Sequence, residues 1–202
     1  MGYLFIDTGA FYRAITLAAI EAGLADAEEP AIVALAEHTS IKVTADRNAD
    51  ERQYTVLLNS RDVTHAIRDP SVEANVSRIS AMPLVRQAIT DQQRRVAEAG
   101  RVIMAGRDIG TTVLPNADLK LYLDASPATR AERRYRQILA EGRTVELASI
   151  EADLQARDVY DSTREASPLR RAADAIEVIT DSLSVEQVVA KIKQIIAERS
   201  QS

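Results

Sequence analysis

The chain has no cysteine, only two histidines and only four lysines, and these shortages exclude several kinds of site. Without cysteine there are neither disulfides nor thiolate metal sites. His38 and His65 are too few for an obvious zinc site or an easily argued Ser-His-Asp triad. No run of about 18 apolar residues occurs, so we expect no membrane span and no membrane partner. The net charge of -5 argues against a nucleic-acid polymer as a partner.

What the chain does contain is typical of one globular domain. It has 202 residues, of which 46% are hydrophobic and 27% are charged. Its basic residues are almost all arginine, whose planar side chain suits two-pronged recognition of phosphate or carboxylate. We therefore expect a cytosolic monomer that binds a small anionic ligand.

Four short apolar runs predict buried strands, and helical patterns lie between them. Runs without polar alternation are typical of strands that helices cover on both faces. The predicted strands are Tyr3–Ile6, Val102–Ala105, Leu119–Leu123 and Ile176–Ile179. Alternating strands and helices predict an α/β fold with a mainly parallel sheet. Residues 41–69 break this rhythm and predict a small antiparallel insert.

Helix signals occur between the predicted strands. Pro83 should divide a long helical pattern at 71–99 into two helices, and Gly142 should end a later helix. The predicted helix starts are Thr8, for a helix to about Ala22, Ser126-Pro127, and a capping box of Ser184 and Gln187.

An acid or an Arg-Asp pair follows each predicted strand. In open α/β sheets ligands bind beyond the carboxyl ends of the strands, so these side chains should lie along one rim. They are Asp7, Arg107, Asp108, Asp124 and Asp181. Because Asp also terminates strands and caps helices, a purely structural interpretation stays open, above all for Asp124 and Asp181. Gly106 and Gly110 favour a ligand at Arg107-Asp108, since glycine lets the backbone approach closely.

Arginines on predicted helices form three candidate anion sites. Arg13 lies near a helix N-terminus, where a bound anion or a salt bridge would offset the helix dipole. Arg157, Asp161 and Arg164 share one helix face, as a ligand clamp or as a solvated ion-pair ladder. The helix after Ser126 is crowded with like charges that predict a mobile lid visited by anions. These are Arg130, Arg133, Arg134 and Arg136, which Glu132 partly offsets.

Several stretches of the sequence resemble the bacterial cytidylate kinases, the (d)CMP kinases. They are FIDTGAFYRA, VIMAGRDIGTTVLPNADLKLYLDAS, RDVYDSTREASPL and LSVEQVV. The stretch NSRDVTHAIRDPSVEANVSRISAMPLVR resembles the substrate-binding insert of that family and the helix that follows it. The resemblance covers essentially all 202 residues, in the same order.

The resemblance implies a P-loop nucleoside-monophosphate kinase fold, with helices on both faces of a parallel sheet. The reaction would move the γ-phosphate of ATP, bound with Mg²⁺, to CMP or dCMP. The implied parts are a core of 1–38, 70–125 and 166–202, a nucleotide-binding insert of 39–69, and an arginine-rich lid and clamp of 126–165. The acceptor phosphate is already anionic, so no general base is needed.

The resemblance also implies roles for individual residues. Ser77, Arg86 and Asp108 would read the cytosine edge, and Thr8 would lie near the nucleotide. Arg13, Arg107 and Arg164 would hold the acceptor phosphate, and Arg157 with Asp161 would hold the ribose. Arg133 and Arg134 would close over the transferring group, so that they and Arg107 would be the catalytic residues.

Two departures from the family pattern stand out. Ala105 lies where many relatives have an acid, which affects the base contacts expected there. None of the seven glycines is followed by lysine, so the G-x-x-x-x-G-K-[ST] loop that cradles ATP phosphates does not occur. We expect that the family's first strand, loop and helix are missing because the sequence is incomplete at its N-terminus. The strands at 102–105 and 119–123 should then not pair directly.

Two other functions stay open on the sequence alone. The chain could bind CMP without transferring phosphate. It could also be a kinase for another small molecule, such as UMP or an alcohol. An alcohol acceptor would need a general base, for which Asp7 is the only reasonable candidate on the rim.

Overall fold

The structure, a computed structural model, describes residues 2–45 and 54–199 of a mixed α/β protein. The strands are β1 Leu4–Asp7, β2 Ile41–Thr44, β3 Thr55–Leu58, β4 Arg61–Asp62, β5 Val102–Ala105, β6 Leu121–Asp124 and β7 Ile176–Ile179. The helices are α1 Gly9–Glu21, α2 Glu29–Glu37, α3 Pro70–Ala81, α4 Pro83–Ala97, α5 Pro127–Ala140, α6 Leu147–Thr163 and α7 Val185–Arg199. None of the helices in these two stretches is long and apolar enough to span a membrane.

The four predicted strands all form, and they pair in two parallel ladders rather than in one sheet. β1 pairs with β5, with Leu4 opposite Val102, and β6 pairs with β7, with Leu121 opposite Ile176. The prediction of an α/β fold with mainly parallel pairing is therefore confirmed. The lack of pairing expected between the strands at 102–105 and 119–123 stays a prediction, because β5 and β6 belong to the two separate units described below. The missing strand itself stays a prediction.

The chain divides into two compact units. The first comprises 1–114 with 165–167, and the second 115–164 with 168–202. In the first unit α1 is buried along most of its length, with Phe11 and Ile15 fully buried beside Ile6 of β1 and Ile89 of α4. The core of the second unit is small and lies between α5 and α6. The predicted division into core, insert and lid stays a prediction.

The insert is antiparallel, as predicted, but its last stretch is not a strand. β2 pairs with β3, and β3 pairs with the two-residue β4. Beyond β4, Asp62 Oδ1 accepts hydrogen bonds from the amide and the hydroxyl of Thr64, at 2.9 and 2.7 Å. This turn takes the chain out of the sheet and into a 3₁₀ turn at Ala66–Arg68. The sequence also predicts a polar turn between IKVTAD and QYTVLL, and this turn lies outside the described residues.

All three predicted helix starts are confirmed, and one of them lacks its side-chain cap. Ser126 Oγ accepts from the Thr129 amide at 3.3 Å, and Ser184 and Gln187 form the reciprocal capping box at 2.8 and 3.3 Å. Thr8 precedes α1 but does not cap it with its side chain. Its hydroxyl donates instead to the Ala105 carbonyl, because β5 offers that acceptor at the end of the ladder.

Candidate active site

Thr8 joins the carboxyl ends of β1 and β5. Its amide and its Oγ1 both donate to the carbonyl of Ala105, at 3.0 Å each, and the side chain is buried. A Cβ atom on Gly106 would come within 2.2 Å of Thr8 Oγ1, so that only glycine fits there. The close approach at Gly106 brings the two predicted rim segments together, and it is Thr8, not a ligand, that requires this glycine in the structure.

Arg13 reaches back over the first turn of α1 towards Asp7. A Cβ atom on Gly9 would lie 2.9 Å from Arg13 Nη1 and 3.1 Å from Asp7 Oδ1, which places both side chains over this glycine. Asp7 Oδ1 also accepts from the Gly9 amide at 2.9 Å. Arg13 Nε is buried and has no hydrogen-bond partner in the described stretches. A buried donor without an acceptor is unfavourable, so this guanidinium is suited to an incoming anion.

Arg86 and Asp108 form a buried ion pair. Arg86 Nη2 lies 2.6 Å from Asp108 Oδ2, and the two side chains are 4% and 5% exposed. Arg86 Nη1 also donates to the Ser80 carbonyl at 2.9 Å, and its guanidinium stacks over the Tyr12 ring at 5.0 Å. Buried charges require such partners. Two of the three residues expected to read the base are thus in direct contact.

The third expected base-reading residue lies at the surface. Ser77 is exposed on α3, and its carbonyl accepts from Ser80 Oγ at 3.2 Å. Sequence reasoning missed Tyr12, whose ring supports Arg86. The available signal was an aromatic residue directly before the phosphate-binding candidate Arg13 on an otherwise apolar helix.

A single π-helical turn, Ile109–Val113, follows Asp108. The Asp108 carbonyl accepts from the amides of Thr112 and Val113 at 2.9 and 3.2 Å. Arg107 is half-buried at the start of this segment. Short π-helical turns are common at functional sites, and this one places Asp108 between a strand end and α4.

In the second unit, Asp161 lies between two arginines. Arg164 Nη1 is 3.4 Å from Asp161 Oδ1, and Arg157 Nε is 4.0 Å from Asp161 Oδ2. Asp161 and Arg164 have side chains only 9% exposed, whereas Arg157 is 54% exposed. A fully solvated ladder is therefore wrong for the inner pair. A buried guanidinium and an exposed one thus flank the same carboxylate, and their role as a ligand clamp stays a prediction.

The lid arginines have partners within the second unit. Arg133 donates to the Thr180 carbonyl at 2.6 Å and to Thr180 Oγ1 at 3.0 Å, and Arg134 donates to Gln137 at 2.9 Å. The remaining two form ion pairs: Arg130 with Asp158 at 2.6 Å and Arg136 with Glu132 at 2.8 Å. The expected repulsion is therefore relieved inside the chain. Closure of this helix over a ligand stays a prediction.

The two rim acids of the second unit have structural partners. Asp124 Oδ1 accepts from the Ala125 amide at 2.8 Å. Asp181 Oδ1 accepts from the Ser126 amide at 2.9 Å and from Thr129 Oγ1 at 3.0 Å. Hydrogen bonds from Ser126 and Thr129 lower the pKa of the Asp181 carboxyl. Both acids thus organise the start of α5, in agreement with the simpler interpretation.

Within the described stretches, no three histidine or acidic side chains come together as a metal site.

Comparison with known proteins assigns this chain to a family. The cytidylate kinase family model matches residues 1–198. The chain belongs to the cytidylate kinase family. It is 45% identical over 201 residues to the cytidylate kinase of Lactiplantibacillus plantarum, covering all of this chain and 86% of that protein. It is 44% identical to the enzyme of Carboxydothermus hydrogenoformans, covering 99% of this chain and 88% of that one. With the cytidylate kinase of Chloroflexus aggregans the identity is 47% over 95% of this chain and 82% of the relative.

Proposed function

We propose that the chain binds CMP or dCMP as the phosphate acceptor of a (d)CMP kinase, which forms CDP or dCDP from Mg-ATP. The observation that carries the proposal is the buried Arg86–Asp108 pair beside the ends of β1 and β5. A carboxylate accepts from the exocyclic amine of cytosine, and a guanidinium donates to the acceptors of the ring. Uracil would present a carbonyl oxygen to the carboxylate, which disfavours UMP.

Arginines would provide the contacts to the acceptor phosphate. Arg13 supports this role best, since its buried Nε has no acceptor in the described stretches. We assign Arg107 and Arg164 to the same phosphate, and Arg157 with Asp161 to the ribose. Arg133 and Arg134 would neutralise the transferring group after leaving their present acceptors. Catalysis then consists of positioning and charge neutralisation.

The donor side of the reaction is less complete. These 202 residues contain no G-x-x-x-x-G-K-[ST] loop, and we propose that they transfer phosphate poorly by themselves. We also propose that a central strand of the family fold would cover the strand edges that are open among the described residues. β5 and β6 each have one strand neighbour among the described residues, and their side chains Ile103 and Leu123 are 47% and 52% exposed. Unpaired edges with apolar side chains ordinarily require a cover.

Titration calorimetry with CMP, dCMP, UMP and AMP tests the acceptor assignment. We expect CMP or dCMP to bind more tightly than UMP and AMP. The isosteric variant Asp108→Asn should lose the preference for CMP over UMP, because its amide can face a carbonyl. Equal binding of AMP and CMP by the unmodified chain would refute the cytosine assignment.

A coupled assay with Mg-ATP and CMP tests the donor side. Removal of a single preorganised donor costs about 10²–10³ in rate, and here a whole loop is absent. We expect negligible turnover beside that of the Lactiplantibacillus plantarum enzyme measured in parallel. Ordinary turnover of about 1–100 s⁻¹ would show that another element binds the ATP phosphates.

A CMP-binding protein without transfer is the second candidate, since the buried Arg86–Asp108 pair would serve it equally well. Tight CMP binding without any turnover, even after a P-loop segment is supplied, would establish it. An alcohol kinase is disfavoured, because Asp7 already accepts from the Gly9 amide and faces Arg13.

A further inference from the structure

We propose that Arg94 is a positioning residue for base selection, which holds the turn after Asp108 in the geometry that reads cytosine. This inference rests on the proposed function. Arg94 lies in the last turn of α4 and does not touch Asp108 or Arg86 in the contacts described above. The side chain of Arg94 is 46% exposed, and Arg94 acts on Asp108 only through backbone carbonyl groups of the turn that follows it.

The contacts of Arg94 are directed at the π-helical turn. Its Nε donates to the Val113 carbonyl at 3.0 Å, and its Nη2 donates to the Thr112 carbonyl at 2.7 Å. The planar guanidinium therefore binds two consecutive carbonyls at once. Lysine, with a single ammonium group, cannot reproduce this two-pronged geometry.

The C-terminal end of the π-helical turn needs hydrogen-bond donors from outside the turn. The last carbonyl groups of a helical turn accept no hydrogen bond from within that turn, and they lie at the negative end of the helix dipole. A π-helical turn of five residues has few internal hydrogen bonds to hold its shape. Arg94 satisfies the two carbonyls with a charged donor, which makes both hydrogen bonds stronger than neutral ones.

The same residues connect this end of the turn to Asp108. The amides of Thr112 and Val113 both donate to the Asp108 carbonyl, so a shift of either residue is passed to Asp108. Helix α4 therefore holds the segment at both ends. Arg86 binds the Asp108 carboxylate, and Arg94, two turns further along, binds the carbonyls beyond it. The position of the carboxylate towards a base amine depends on both.

Three variants of the full chain test this role: Arg94→Met, Arg94→Lys and the control Arg95→Met. Arg95 is the neighbouring exposed arginine of α4 and makes no hydrogen bond or ion pair within the described part of the chain. The Kd values for CMP and UMP are measured for each, well below its melting temperature. We expect Arg94→Met to reduce the UMP/CMP ratio of Kd about tenfold, with partial rescue by lysine and no change in the control.

Hydrogen exchange gives a second readout that does not need a nucleotide. Peptides covering 106–114 should exchange faster in Arg94→Met than in Arg95→Met, while the rest of the first unit is unchanged. A Kd ratio equal to that of the unmodified chain, or unchanged exchange in 106–114, would overturn the proposal. A uniform rise in exchange would also overturn it, since it would indicate a general structural role. If the unmodified chain fails to prefer CMP, the proposed function fails first and this inference falls with it.

Discussion

The two compact units differ in how their hydrophobic residues are covered. In the first unit, one cluster of buried side chains extends from β1 and α1 to α4, and many of its members are completely inaccessible. In the second unit the buried cluster has only Ala131, Ile138 and Ile150, and α7 has no buried residue. Because the packing of an amphipathic face provides most helix stability, the second unit should depend more on polar contacts.

Charged side chains follow the same division. The first unit buries a complete ion pair, Arg86–Asp108, whereas the arginines of α5 lie at the surface or bind backbone oxygens. A rigid interior fixes a recognition pair accurately, and surface arginines are free to exchange their partners for a ligand. We infer that selection of the base resides in the first unit, which also supplies Arg13 and Arg107 to the acceptor phosphate, and that neutralisation of the transferring group is a task of the second.

The largest expected loss of stability comes from breaking the buried Arg86–Asp108 pair of the first unit. Arg86→Met leaves Asp108 as a buried charge without its partner, which should cost about 3–5 kcal/mol of unfolding free energy. Arg164→Met in the second unit should cost only about 1–2 kcal/mol, because Asp161 keeps Arg157 nearby. Hydrogen exchange over rising urea, read separately for peptides of each unit, measures both values.

The double variant Arg86→Met/Asp108→Leu is the control for this prediction. It removes the stranded carboxylate along with the arginine, so most of the lost stability of the first unit should return. A double variant as unstable as the single one would mean that packing of the arginine, and not its charge, is what matters.

The difference in burial between the two units was predicted from the sequence only in part. Apolar runs located all four parallel strands, and β5 and β7 agree residue for residue. The runs were interpreted as strands buried on both faces, yet Leu123 and Ile179 are more than half exposed. Periodicity records which residues are apolar, and it does not report whether a neighbouring element is there to cover them. Helix α2 was missed altogether.

At the site, the resemblance brought together residues that no local pattern could. Arg86 and Asp108 are 22 positions apart, and their contact depends on the packing of α4 against the π-helical turn that follows Asp108. The roles of Tyr12 and Arg94 were not foreseen, since a ring that supports an arginine and a side chain that binds distant carbonyls have no sequence signature. Thr8 was assigned to the wrong partner, because a helix cap is the local choice and the Ala105 carbonyl is a distant one.

An Ile→Ala substitution in each unit compares how much the buried side chains of the two units contribute to stability. Ile89→Ala removes a fully buried side chain from α4 of the first unit and should cost about 2–5 kcal/mol. Ile195→Ala, on the half-covered face of α7, should cost about 1 kcal/mol. Both changes are Ile to Ala within a helix, so helix propensity cancels. Hydrogen exchange in urea measures the loss of unfolding free energy in each variant. Equal losses would show that the face of α7 that bears Ile195 is buried as well as the core of the first unit.

The smallest expected effect concerns acid stability and distinguishes the polar contacts of the two units. Hydrogen bonds from Ser126 and Thr129 hold the pKa of Asp181 below its ordinary value of 3.8. A carboxyl whose folded pKa is lowered stabilises the fold above its unfolded pKa, and this contribution disappears as the pH falls through the folded value. Asp181→Asn should therefore weaken the second unit slightly at pH 7 and flatten its loss of stability below pH 3.8.

Asp69→Asn is the matched control in the first unit, because hydrogen bonds from Ser71 lower the pKa of Asp69 in the same way. Hydrogen exchange between neutral and acid pH should show each variant changing only peptides of its own unit. Equal acid profiles for Asp181→Asn and the unmodified chain would mean that the start of α5 does not depend on this carboxylate.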